Sequence, residues 1–257
     1  MPFDLNEYHN SIYHDSQRYD DEMYWKKNDM EFWKLILARN HNKKVLELAS
    51  GTGRLAIPLL REGAKYTGLE ISPEFCETAR KKITKFGGEH QIIQGDMRDF
   101  SLDDTFDVIF VGFNSFLHLL TDDDAIATLE CVKKHMVKGK SRFIIDIFVP
   151  DPLFLYRPED MRYPVMEYID SITNEKIVVQ ETSEYNPETE INKISWFYDA
   201  ETVEHNRTYN FTMRMFFPDT MNRLLTDAGF TINNLWGDHF QTPFNESSTL
   251  QIYDCQI

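Results

Sequence analysis

Positive charge is in short supply in this chain: 27 Lys and Arg stand against 42 Asp and Glu, a formal charge of −15 over 257 residues. A field of that sign repels a phosphate backbone, so broad nucleic-acid binding is disfavoured and no nucleic-acid partner is expected. Cysteine is scarcer still. Cys76, Cys131 and Cys255 are widely spaced and form neither a C-x-x-C pair nor the ligand grouping of a structural zinc site. Such usage reads as a reduced, cytoplasmic protein. No apolar run nears the roughly 18 residues that span a bilayer, and the first ten residues have neither the basic nor the apolar stretch of a secretory leader, so no membrane partner is expected. None of the eight histidines falls in H-E-x-x-H or another compact ligand motif, and no catalytic metal is expected. Low-complexity tracts are missing too, and a chain that is 42% hydrophobic is a globular one.

What is present has a changing texture. The opening segment to about Asn42 is dense in aromatics (Phe3, Tyr8, Tyr13, Tyr19, Tyr24, Trp25, Phe32, Trp33) interleaved with charge, which predicts an amphipathic helical cover over residues 1–42. From Lys43 short apolar runs alternate with helical stretches, the pattern of βαβ units around a mainly parallel sheet. Strands are predicted at Val45–Leu48, Tyr66–Leu69, His90–Ile93, Asp107–Val111 and Arg142–Phe148. Between them, Ser72 reads as an N-cap with Pro73 as the first helical residue, and Thr121 with Asp124 as a capping-box variant whose helix stops at Gly139. Pro58 predicts a bend in the helix running to Gly63.

Over residues 151–217 the period drops to two, with turn signals at Asn174-Glu175, Asn186-Pro187 and near Asp199, predicting an antiparallel β lid. Its best strand, Thr208–Phe216, places Tyr209, Phe211, Met213 and Met215 on an apolar face opposite Thr208, Asn210, Thr212 and Arg214. The segment holds 13 acids and 6 bases together with 12 aromatics. A last helix, Asp219–Ala228, precedes two strands at Phe230–Trp236 and Thr249–Tyr253. The expected organisation is therefore a helical cover (1–42), an α/β sheet domain (43–150 with 218–257) and the lid (151–217).

Chemistry gathers at strand ends. Glu47-Leu48-Ala49-Ser50-Gly51-Thr52-Gly53 runs from the first strand through a glycine turn into a helix, where glycines permit close ligand approach and the helix start offers free amides. A carboxylate from Glu47 would repel a pyrophosphate there and suit an ammonium or sulfonium. Glu70 closes the second strand about twenty residues on, where an acid can accept both hydroxyls of a ribose. Asp96 closes the third, within reach of an adenine amino group, with the Met97 amide beside it. Three acids at three successive strand ends, where open α/β sheets bind ligands, carry more weight than any one of them.

This constellation resembles the first motif of the class I S-adenosylmethionine-dependent methyltransferases, an acid followed by x-G-x-G-x-G, with Ala49 in place of the first glycine. The resemblance covers about Lys43 to Phe148 and, more loosely, Thr220 to Ile257. It implies a Rossmann-like sheet of seven strands with the last antiparallel, S-adenosylmethionine as cofactor, S-adenosylhomocysteine as product, and a small-molecule acceptor methylated on N, O or C. Carried over residue by residue, Glu47, Gly51 and Gly53 surround the methionine moiety, Glu70 takes the ribose, and Asp96 with Met97 the adenine; Ala49, Arg54 and Ile71 complete the implied binding set. Gly95–Phe100 (G-D-M-R-D-F) resembles a subgroup with a β insertion after the fifth strand. Members of that subgroup often begin Y-D-x-x-Y, here Tyr19-Asp20 with Tyr24 one place late, which makes Tyr19 a candidate for the methionine carboxylate.

Phe113 and Asn114 are placed by the resemblance beside the methionine and the methyl group, or form an ordinary loop. His118 is a candidate base or a structural histidine, and Asp146 a holder of a substrate amine or a buried acid. Trp196, Tyr198 and Tyr209 line a pocket or fill the lid core. The aromatic, acidic lid favours a neutral or cationic acceptor. Two other readings stay open. Gly51-x-Gly53-x-x-Ala56 also fits the fingerprint of an NAD-type oxidoreductase, although Glu47 would sit beside its pyrophosphate, and a non-catalytic scaffold could keep the cofactor pocket.

Overall fold

The structure is a computed structural model that describes residues 12–38 and 44–257. Phe3 and Tyr8 of the expected cover lie outside the described residues. In chain order the elements are α1 (Ser16–Glu22), α2 (Met30–Ala38), β1 (Lys44–Leu48), α3 (Ala56–Arg61), β2 (Lys65–Glu70), α4 (Pro73–Ile83), β3 (His90–Gln94), β4 (Val108–Val111) and α5 (Asp122–Lys134). They continue with β5 (Arg142–Phe148), α6 (Pro152–Leu155), β6 (Tyr163–Ile169), β7 (Lys176–Asn186), β8 (Ile191–Ala200), β9 (Arg207–Arg214), α7 (Pro218–Asp227), β10 (Thr231–Trp236) and β11 (Leu250–Gln256). The chain divides into two compact units, the described part of Met1–Lys27 with Pro150–Met215, and Asn28–Val149 with Phe216–Ile257.

The second unit is an α/β sheet of seven strands in the order β10-β11-β5-β4-β1-β2-β3. Its strands pair in parallel from β5 across to β3, while β11 runs antiparallel to both β5 and β10. This is the Rossmann-like order with its last strand reversed. All four residues of β4 are buried, as expected of a parallel strand covered on both faces. The chain order reverses between β1 and β4, and the loops after these strands form the crevice in which such sheets hold ligands. Helix α2 supplies Phe32, Trp33, Ile36 and Leu37 to the core; Trp33 stacks on Phe110 with ring centroids 4.4 Å apart. Each such side chain removed from water contributes roughly 1.5–3 kcal/mol.

Local signals were read correctly at two helix starts. The Ser72 side chain accepts from the Phe75 amide and that of Thr121 from the Asp124 amide. Two others need correction. Pro58 falls in the first turn of the six-residue α3, where a missing N–H costs no helical hydrogen bond, so it produces no bend. Helix α5 ends at Lys134, five residues before Gly139, because His135 leaves it: its Nδ1 lies 2.7 Å from the Cys131 carbonyl and its Nε2 accepts the Leu102 amide at 2.8 Å.

The first unit is built on the antiparallel sheet β6-β7-β8-β9. Tyr168, Ile177, Val179 and Tyr198 form its core, with Trp196 and Tyr209 packed against them. On α1, Arg18 pairs with Glu22 at 3.0 Å and lies 4.2 Å from the centre of the Tyr209 ring. Strand β8 runs through Asp199, so the third reversal falls at residues 201–206, where Asn206 Oδ1 accepts the Ala200 amide. Strand β9 stops at Arg214, short of Phe216. Arg214, on the face opposite the apolar one, is buried and pairs with Glu190 at 3.0 Å.

Candidate active site

The turn after β1 is wound in the left-handed region at Ala49 (φ 52°), Gly51 (φ 58°) and Gly53 (φ 79°). At Gly53 a Cβ would lie 3.2 Å from that of Ala79 on α4, whereas at Gly51 it would meet nothing within 4 Å. Gly53 is thus required by packing as well as by φ, and Gly51 leaves open space over the turn.

Glu47 and Glu70 are both buried, 6% exposed. The Tyr66 hydroxyl donates to Glu47, yet burial outweighs this bond and the nearby Arg54, and pushes the Glu47 carboxyl up to about 8. Glu70 is raised by burial as well, in part offset by the amides it accepts: Gly51 at 2.8 Å and Ser72 at 2.9 Å. Those two bonds tie the glycine turn to the end of β2 and the start of α4. Ile71, partly exposed, follows Glu70. Asp96 is gripped by Arg98, whose amide and guanidinium both donate to it at 2.6–3.0 Å. Burial raises Asp96, but these bonds more than reverse it and hold the carboxyl below its usual range. Arg98 also bridges to Asp124 at 2.9 Å. Met97 is half-buried beside it.

Arg54 turns away from solvent to fork Asp29, both bonds 2.7 Å, and Asp29 is fully buried just before α2. Its guanidinium also lies 5.6 Å from the centre of the Phe113 ring. Phe113 and Asn114 are left-handed, at φ 51° and 67°. The Asn114 amide donates to the Asp146 carbonyl at 3.1 Å, and its Oδ1 accepts from the Phe148 amide at 2.8 Å, so Asn114 fastens the end of β4 to the end of β5. His118 ends the short 3-10 turn that follows and is half-buried. Tyr19 belongs to the first unit, on α1, its ring 6.3 Å from that of Tyr13. Trp196, Tyr198 and Tyr209 are also in that unit; Tyr198 meets Trp196 at a tilt and Tyr209 edge to face, and Trp196 donates to Glu181 at 2.8 Å.

Asp146, 2% exposed near the end of β5, meets a residue that sequence reading missed. His239, from the loop after β10, brings its Nε2 to 3.0 Å from Asp146 Oδ2. One weak signal pointed to the loop: Gly237-Asp238-His239 interrupts the final hairpin. Nothing in the spacing pairs it with a residue 93 positions earlier.

Comparison with known proteins agrees with this architecture. Residues 45–139 match the model of a methyltransferase domain family. Over 209 residues the chain is 26% identical to the dTDP-3-amino-3,6-dideoxy-alpha-D-glucopyranose N,N-dimethyltransferase of Streptomyces fradiae, covering 78% of this chain and 76% of that one. Among solved structures, the CcbJ methyltransferase of Streptomyces caelestis superposes with a TM-score of 0.77 at 20% identity, over 95% of this chain and 99% of the other. A S-adenosylmethionine-dependent methyltransferase from Clostridium acetobutylicum ATCC 824 gives 0.73 at 16% identity, over 93% and 96%. Residues 45–139 are thus similar to a methyltransferase domain, and the chain has the Rossmann-like fold of solved S-adenosylmethionine-dependent methyltransferases.

Proposed function

We propose that the protein transfers the methyl group of S-adenosylmethionine to a nucleophilic atom, nitrogen foremost, of a small neutral or cationic acceptor. The observation that carries this reading is the set of acids at the ends of β1, β2 and β3 around the left-handed glycine turn. Glu70 is fixed by two amides, Glu47 accepts from the Tyr66 hydroxyl, and Arg54 gives both forks of its guanidinium to Asp29. Such a donor set fits a nucleoside bearing hydroxyls, and a bound sulfonium would favour the ionised form of Glu47 where a pyrophosphate would disfavour it.

Glu70 accepts the ribose hydroxyls, Asp96 and the Met97 amide meet the adenine, and Glu47, Ala49, Gly51, Gly53 and Phe113 enclose the methionine end. S-adenosylmethionine, when bound, supplies a methyl already activated by a positive sulfur. The remaining task of the chain is to align the acceptor and exclude water, which in favourable cases supplies roughly 7–11 kcal/mol. Nitrogen as the acceptor atom draws support from the amino-sugar dimethyltransferase to which the chain is similar. Calorimetric titration tests the reading: S-adenosylhomocysteine binds and NAD(H) does not. The reverse pattern would remove the methyltransferase assignment in favour of an oxidoreductase.

A further inference from the structure

The second unit holds an acid–imidazole pair that the cofactor reading does not use. Asp146 on β5 and His239 in the loop after β10 are 3.0 Å apart, their side chains 3% and 7% exposed. Asp29 completes a group whose side-chain oxygens and nitrogen lie within 4.8 Å of one another. Asp29 is committed elsewhere, because Arg54 takes both of its oxygens and cancels its charge. Among the described residues, that leaves His239 as the hydrogen-bond partner of the Asp146 carboxylate.

Geometry fixes the ring. A nitrogen facing a carboxylate at this distance carries the proton, so Nε2–H donates to Asp146 and the lone pair is left on Nδ1. Nδ1 has no hydrogen-bond partner among the described residues. The Phe32 ring, 5.5 Å away, flanks the imidazole. The pair is joined to the proposed methyl-donor site in two directions. Asn114 binds the Asp146 backbone and adjoins Phe113, and Asp29 links through Arg54 to the glycine turn.

We propose that His239 is the proton acceptor of the transfer and that Asp146 is the residue that positions it. The inference rests on the methyltransferase reading above and deepens it by naming a base for an amine acceptor. As the acceptor nitrogen forms its bond to the methyl carbon, the carbon–sulfur bond breaks and its electron pair stays on sulfur. The N–H proton of the acceptor passes to Nδ1, and the resulting imidazolium is stabilised against Asp146. The charged and titratable groups facing the ring are Asp146 from β5, Asp29 ahead of α2, Arg54 from the glycine turn and Asp238 in its own loop. A base of this kind contributes about 10² to 10⁴ in rate.

The test begins with the full-length protein carrying ¹⁵N-labelled histidine, the His239 signals being assigned by comparison with His239→Gln. Long-range proton–nitrogen spectra should show neutral His239 protonated on Nε2, and Asp146→Asn, whose amide can itself donate to Nε2, should let the Nδ1–H tautomer appear. Protonation on Nδ1 in the native protein, or a tautomer balance unmoved in Asp146→Asn, overturns the proposal. His239→Gln should bind S-adenosylhomocysteine within twofold of the native protein while losing at least 100-fold in transfer of labelled methyl to a panel of neutral amino sugars that includes 3-amino-3-deoxyglucose. Equal transfer by native protein and variant overturns the base and leaves the methyltransferase reading standing. Native protein that binds S-adenosylhomocysteine but methylates none of the amines overturns the base by removing its amine acceptor, and native protein that fails to bind S-adenosylhomocysteine removes the broader reading as well.

Discussion

Glu47 illustrates how burial ties the protonation of a single side chain to stability. Its carboxyl is held near 8 in the folded protein by burial, against an ordinary value of 4.5. A folded value above the unfolded one means that the native state binds the extra proton. The stability that Glu47 supports is therefore fully present below about 4.5 and is lost as pH rises through about 8. Thermal melts of the ligand-free protein from pH 5 to 9 should fall more steeply than those of Glu47→Gln, which has no proton to lose; parallel curves would show that Glu47 is not the group responsible. Glu70→Ala removes a carboxylate that accepts two amides and, in the proposed function, two hydroxyls. S-adenosylhomocysteine binding should weaken by about 1–3 kcal/mol in calorimetry, and unchanged affinity would displace the ribose from this residue. Ala49 stands in the left-handed region, a conformation costing a residue with a Cβ about 1–2 kcal/mol. Since glycine gives back part of that gain through the unfolded chain, Ala49→Gly should raise stability by about 0.5 kcal/mol in urea unfolding; a loss would point to a packing role for the methyl group.

At the scale of elements, α1 and the antiparallel sheet share a buried charge. Burial pushes Glu22 up to about 7 against the pull of Arg18 and the Tyr198 hydroxyl. By the same sign, the first unit is firmest below about 4.5 in this respect and loosens as pH rises through about 7. Hydrogen exchange of the β8 and β9 amides should accelerate between pH 6 and 8 beyond the intrinsic rate, and Glu22→Gln should abolish that excess. The sequence made β1 to β5 and their caps legible because parallel strands read as short apolar runs and because Ser72 and Thr121 are local signals, complete within four residues. It misled at Gly139 and Pro58, where the outcome depended on a ring reaching Leu102 and on a turn of unguessed length. Arg214 was legible only in part: period-two alternation assigns it a face, but its partner Glu190, just ahead of β8, is brought there by the fold.

For the molecule as a whole, the net negative field would act on the acceptor of the proposed transfer before any contact forms. Residues 151–217 carry 13 acids and 6 bases, whereas the substrate named for the Streptomyces fradiae relative bears a diphosphate. The protein should accordingly show a higher kcat/KM for an uncharged or cationic amine than for its dTDP-linked counterpart, with the gap narrowing as salt screens the field; a preference for the nucleotide sugar at every ionic strength would refute this. Three strand-end acids were legible because each sits a fixed step from its own glycine or strand end. The Asp146–His239 pair was not, since it is made by the return of the chain after β10, a long-range closure that no local pattern encodes.

The placement of β11 between β5 and β10 has a bearing on biosynthesis. Until Leu250–Gln256 emerges from the ribosome, β5 keeps a bare edge and β10 has no neighbour to join. The nascent chain must hold an unfinished sheet until that strand is made, exposed to chaperones and to other unfinished copies, and a chain cut ahead of Leu250 would keep both edges unpaired.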